Sequence, residues 1–155
     1  MQKPQSLRLA LNAMFPSLQA NPELLQSTIK KGVIASTLAT SLSFEYQYKL
    51  VLSLNNFSDN LDTLFVTILS WLRTHQPDLM TREAMRNRGF RFNISQNTDG
   101  TTAVRITLKL TERNWVREEN ESLYLTYEPE PTPPEPVTRP MSLYINGNLI
   151  SQWSK

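Results

Sequence analysis

Phe44-Glu45-Tyr46-Gln47-Tyr48-Lys49-Leu50-Val51-Leu52-Ser53-Leu54 decides the fold. Phe44, Tyr46, Tyr48, Leu50, Leu52 and Leu54 line one face and Glu45, Gln47, Lys49 and Ser53 the other, the period of two that marks a half-buried strand. Its eleven residues exceed the usual strand length. Upstream, Ile34, Ser36, Leu38, Thr40 and Leu42 continue the alternation and predict a preceding strand or extended arm. Downstream, Ser58 and Asp59 are placed to cap a helix whose Leu61, Leu64, Phe65, Ile68, Leu69 and Leu72 form one apolar stripe, wide enough to lie flat on a sheet. Pro77 limits that helix, because the residue before proline avoids helical angles.

Beyond a basic stretch at 81–89, two strands follow in hairpin order. Phe90, Phe92 and Ile94 alternate with polar residues, Asn97-Thr98-Asp99-Gly100 has turn chemistry, and Val104, Ile106, Leu108 and Leu110 alternate again. Another strand pair is expected near 113–118 and 122–127, through Trp115, Leu123, Leu125 and Tyr127. In Leu143-Tyr144-Ile145-Asn146-Gly147-Asn148-Leu149-Ile150, Asn-Gly supplies the positive φ angles of a type I′ hairpin turn. At the other end, Pro4 in a first turn followed by Leu7, Leu11, Met14/Phe15 and Leu18 predicts a helix. Asn21 as N-cap, Pro22 and Glu23 in the first turn, and Lys30, Lys31 and Gly32 at the end predict a second short helix.

The sum is an α+β fold: a mainly antiparallel sheet with helices packed on one face, plus a C-terminal β-hairpin on a proline-rich arm. Six of the ten prolines fall between Pro129 and Pro140. That window divides the chain into a core domain at 1–127, a Pro/Glu-rich extended linker at 128–140 and a hairpin arm at 141–155. Such a linker is semi-rigid, reaching about 3.1 Å per residue, and proline keeps it out of a central strand. An isolated hairpin is marginal in water, so Leu143, Tyr144, Ile145, Leu149, Ile150 and Trp153 are expected to dock the arm on a neighbouring subunit or another protein by β-sheet addition.

Composition excludes several chemistries. The 155 residues contain no Cys, which removes disulfides, thiolate sites and Cys nucleophiles and fits a reducing cytoplasm, and the lone His excludes His-rich metal sites. No signal-like apolar stretch follows Met1, and no run of about 18 apolar residues is present to span a membrane. Four glycines form no phosphate-cradling motif. His75 reads as a helix-end or surface histidine, since no motif places a Ser or carboxylate beside it. Asp59 and Asp62 read as helix-start charge, and Glu118, Glu119 and Glu121 as a solvated turn, because acid–base work needs enclosed, tuned carboxyls. No cofactor or metal is expected, and the chain reads as a non-enzyme.

Charge is asymmetric under a net +2. Residues 82–117 carry +5, through bases that include Arg105, Lys109, Arg113 and Arg117, and residues 118–136 carry −6, all glutamate. Arg82, Arg86, Arg88 and Arg91 lie near Phe90 and Phe92, but Arg91 alternates with the two rings, whereas a nucleic-acid stacking platform needs charge and aromatics on one face. A polar protein–protein surface is therefore favoured. Trp71 is assigned to the core, Trp115 to an exposed setting, and Trp153 to an interface anchor.

The chain resembles the phage tail completion protein family, the R-type protein of temperate contractile-tailed phages. Lys3-Pro4-x-Ser6-Leu7-Arg8-x-Ala10-Leu11, Ile34-Ala35-Ser36-Thr37-Leu38-Ala39-x-Ser41-Leu42-Ser43-Phe44 and Trp71-Leu72-Arg73-x-x-Gln76-Pro77-Asp78 carry the likeness, continued by Gly89-Phe90-x-Phe92, Leu110-Thr111-Glu112-Arg113, the Pro/Glu window and the Leu143–Gly147 hairpin. The resemblance implies assembly in place of catalysis. The protein would cap the head-proximal end of the tail, end tube growth and prepare head–tail joining, as part of the virion and assembled in the host bacterial cytoplasm. It implies a six-fold homo-oligomeric ring in contact with tail tube and sheath proteins and with a head-completion or connector protein. Membranes and sequence-specific nucleic acid are not among the expected partners. Head-to-tail rings join two different patches, and the adjoining basic and acidic segments supply a pair: Arg105, Lys109, Arg113 and Arg117 against Glu118, Glu119 and Glu121. The alternatives are a connector adaptor working only at head–tail joining, and a DNA-binding protein at the tail entrance.

Overall fold

A computed structural model describes residues 1–129 and 142–152. The alternating stretch forms β2 (Phe44–Phe57), flanked antiparallel by β1 (Leu25–Ser36) and β4 (Thr102–Glu119). On the far side of β4 lie β3 (Phe90–Gln96), paired with residues 102–108, and β5 (Ser122–Tyr127), paired with 114–119. Asn114 stands opposite both Phe44 and Tyr127. β5 therefore shares the edge made by β3, and the middle of β4 lies between them.

The even-numbered residues of β2 and β4 point into the core. Leu50, Leu52, Leu54, Ile106 and Leu108 are almost completely buried there, beneath Leu7 and Leu11 of α1 (Lys3–Met14), Leu18 of α2 (Pro16–Ala20) and Leu64, Ile68 and Leu72 of α3 (Leu61–His75). Each fully buried Leu or Ile contributes about 1.5–3 kcal/mol, so this layer holds the fold. Trp71 belongs to the core and Trp115 is half exposed, as expected. The short helices α4 (Asp78–Thr81) and α5 (Glu83–Arg86) carry the chain from α3 into β3.

The segment expected as a second helix is different. After a single tight turn at Pro22–Leu24, residues 25–36 run as β1 on the sheet edge. Leu25 sits opposite Leu54 and Ile29 opposite Leu50, so both face the core side. A cap residue is worth about 1 kcal/mol, and a twelve-residue ladder with β2 outweighs it. The residues read as a helix stop, Lys31 and Gly32, make a bulge between Lys30 and Val33, with Lys31 at φ +52°. Ile34 and Ser36 end β1, whereas Leu38, Thr40 and Leu42 lie in the β1–β2 loop. Asn60, not Ser58 or Asp59, caps α3, its side chain accepting from the Thr63 amide at 3.0 Å. The strand expected near 113–118 is the continuation of β4 and does pair with 122–127.

The C-terminal hairpin joins β6 (Ser142–Ile145) to β7 (Asn148–Gln152), with Asn146 at φ +50° and Gly147 at φ +82°. From residue 130 the expected linker lies outside the described residues, as does Trp153.

Candidate interaction surfaces

Besides the packing of its leucines, α1 is tied to the sheet by a buried polar cluster. Glu112, on the core side of β4, accepts from the Gln2 amide at 2.6 Å and from the Tyr48 hydroxyl in a short hydrogen bond. Burial, reinforced by the Glu112 carboxylate, pushes the Tyr48 phenol well above its usual range. Gln76, just past α3, is 3% exposed. Its Oε1 accepts from Lys3 Nζ at 2.8 Å and from the Thr111 amide at 3.0 Å, while Nε2 donates to Asp78 and Thr111. The Thr111 amide belongs to the stretch of β4 between β3 and β5, where among the described residues no strand pairs on that side and a side chain takes its place.

The structure does bring a serine to His75, a contact the sequence gave no means to place. Ser6 Oγ lies 3.1 Å from Nε2, and Nδ1 lies 2.9 Å from the Trp71 carbonyl. The imidazole stacks on Trp71 with ring centroids 4.4 Å apart, and Trp71 Nε1 donates to the same Ser6 Oγ at 3.0 Å. With Nδ1 donating to the carbonyl, Nε2 accepts from Ser6. These contacts fasten α1 to α3. Among the described residues no group of three or more His, Asp or Glu is arranged to hold a metal, and no helix is long and apolar enough to cross a membrane.

The sheet face opposite the helices is open and basic. A shallow depression of about 450 Å³ is lined by Lys30, Lys31, Lys49, Arg88, Arg91, Arg105 and Lys109, with Val51, Asn93 and Thr107 and, among the described residues, no acid. Lys30 stands opposite Lys49, and Lys49 opposite Lys109, so three lysines form a row across β1, β2 and β4. Like charges directly opposite in a sheet are destabilising. Of the expected interface residues, Arg105 and Lys109 belong to this face. Arg113 instead meets Glu45 at 3.1 Å and Glu128 at 3.8 Å, and Arg117 meets Glu119 at 3.4 Å. Lys30, Lys31 and Lys49 went unnoticed because the first two were assigned to a helix end and only strand pairing gathers the three.

Past Asn114, β4 leaves β2 and continues with β5 as a two-stranded ribbon. Trp115, Leu123, Tyr124 and Leu125 are each 50–60% exposed on it. Its turn carries Asn120 at φ +51° and Glu121 at φ +59°, and Glu118 and Glu119 flank it, all exposed. In the separate hairpin, Leu143, Tyr144 and Ile145 lie on or at the end of β6 and Leu149 and Ile150 on β7, with Tyr144 and Leu149 exposed.

Buried hydrogen bonds that fasten helices, beside exposed apolar and charged strands, describe a protein built to be covered by other proteins. Comparison with known proteins agrees. P2 phage tail completion protein R (GpR), as a family, matches residues 1–131. Tail completion protein R of Escherichia phage P2 is 46% identical over 155 residues, all of both chains. This chain belongs to the P2 phage GpR tail completion protein family. No solved structure matches it. GpR family membership makes it a structural protein of phage tail assembly, a component of the virion tail that works against other tail components. The family match covers the basic face and the β4–β5 ribbon, while the β6–β7 hairpin lies beyond residue 131.

Proposed function

We propose that this GpR family member is a non-enzymatic ring protein that caps the head-proximal end of a contractile tail, ends tube growth and prepares the tail for joining to the head. The observation that carries the reading is the β4–β5 ribbon, whose half-exposed Trp115, Leu123, Tyr124 and Leu125 lie on two strands. A two-stranded ribbon is marginal in water, and tryptophan and tyrosine are preferred interface anchors. A ring matching the six-fold symmetry of the tube gives every ribbon a neighbour. Its other surfaces serve the tube, the sheath and the head-side connector, and assembly takes place in the bacterial cytoplasm. The C-terminal hairpin, carried on the Pro/Glu linker at 128–140, acts as an arm that adds to a neighbour's sheet, with Trp153 as anchor.

Deleting the gene tests the cap. Tails of uncontrolled length, seen by electron microscopy, are the expected result; normal-length tails unattached to heads overturn the cap in favour of the connector adaptor. Complementing the deletion with a chain ended at Glu128 tests the arm in the same assay. Loss of length control by a folded, truncated protein is expected, and normal tails remove the arm from the reading.

A further inference from the structure

We infer that the acidic tip of the β4–β5 ribbon seats on the basic sheet face of a second copy, and that this contact is the repeating head-to-tail joint of the ring. The inference rests on the ring reading above and names the two surfaces that meet.

Two unfavourable features of the single chain motivate it. The lysine row Lys30–Lys49–Lys109, with Arg91 and Arg105 beside it, places like charges on adjacent strands with no ion pair to any of them among the described residues. In the turn after β4, Glu121 takes a left-handed φ of +59° at the turn position that glycine fills in the β6–β7 hairpin, at +82°. Glycine is the residue suited to that position, and glutamate holds it at a cost of about 1 kcal/mol. Glu121, with Glu118 and Glu119, gives the tip three exposed carboxylates. One contact between tip and basin offsets both penalties. The Glu119–Arg117 pair does not compete, because exposed ion pairs of this kind are worth little.

The contact cannot close within one chain. Lys109 and Glu119 lie ten residues apart on the same strand, a separation of about 34 Å at the usual rise. The tip therefore reaches a basin only on another copy, and two different patches meeting in this way make a heterologous joint, the kind from which closed rings are built. Nucleic acid fits these surfaces less well. The aromatic residues of β3 pair in register with core-facing Leu108 and Ile106, opposite the basin face, and six glutamates without a base follow directly at 118–136.

The test uses two full-length variants: tip-reversed (Glu118→Lys, Glu119→Lys, Glu121→Lys) and basin-reversed (Lys49→Glu, Arg105→Glu, Lys109→Glu). Each folds as judged by circular dichroism, and each alone self-associates at least about 30-fold more weakly than wild type by sedimentation, the low end for losing close charge pairs. Mixed together they assemble again, because every reversed tip then faces a reversed basin. Undiminished assembly of either variant alone, or a mixture that behaves as the sum of its parts, overturns the proposal. So does salt-sensitive duplex DNA binding that basin reversal abolishes and tip reversal leaves unchanged. Tail length in the gene deletion is read independently, so the joint can fail while the cap stands.

Discussion

At the scale of residues, Glu112 and Tyr48 form the most consequential polar contact. Glu112 is 6% exposed, and its carboxylate takes hydrogen bonds from Tyr48 and from the amide of Gln2, the residue before α1. Removing one donor from a buried charged acceptor costs about 1–3 kcal/mol. Tyr48→Phe is therefore expected to lower unfolding stability by that amount at pH 7, measured by urea titration. The difference shrinks at alkaline pH. Folding raises the Tyr48 pKa above its unfolded value near 10, so the stabilisation is complete below pH 10 and is lost as pH rises beyond it. Wild type then loses up to about 1.4 kcal/mol per pH unit from this group, a loss the phenylalanine variant does not share. Parallel curves for the two proteins from pH 7 to 11 would refute the assignment.

At the scale of elements, Gln76 matters because, among the described residues, β3 and β5 leave the middle of β4 without a strand on that edge. Its side chain accepts from the Thr111 amide at 3.0 Å and joins that strand to α1 through Lys3. Gln76→Met keeps much of the volume and removes the acceptor. Hydrogen exchange at the Thr111 amide is expected to accelerate by about 10- to 100-fold, equivalent to roughly 1.4–2.8 kcal/mol of lost protection; unchanged exchange would mean the ladder does not need the side chain. None of this was readable beforehand, because a glutamine 35 residues from its amide partner leaves no periodic signal. What was readable is what local spacing encodes: the alternation of β2, the stripe of α3, the turns at 97–100 and 146–147. Residues 25–36 carried equally clear local signals, yet pairing with β2 decided their conformation. The candidate site divides the same way. The glutamates of the tip were visible as a run, and Arg105 and Lys109 as part of a basic band. The row formed with Lys30 and Lys49 exists only through the register of three strands.

At the scale of the whole molecule, stability and assembly make opposite demands on the β4–β5 turn. Gly100 and Gly147 occupy positive-φ turn positions without penalty, at +83° and +82°, whereas Glu121 does so at +59° with a full side chain. Glu121→Gly is expected to raise unfolding stability by about 1 kcal/mol, the relief of a left-handed non-glycine residue, which for a chain of this size is about 2–4 °C in Tm. The same change removes one of three tip carboxylates and is expected to reduce self-association and completed tails. Glu121→Asp separates charge from conformation, since aspartate tolerates the left-handed region and keeps the carboxylate; it should assemble like wild type. A Glu121→Gly protein that is more stable and completes tails normally would show that the acid is not kept for the joint. A more stable protein that assembles worse, alongside an aspartate variant that assembles well, is the pattern of a turn held in a strained conformation for its partner's sake.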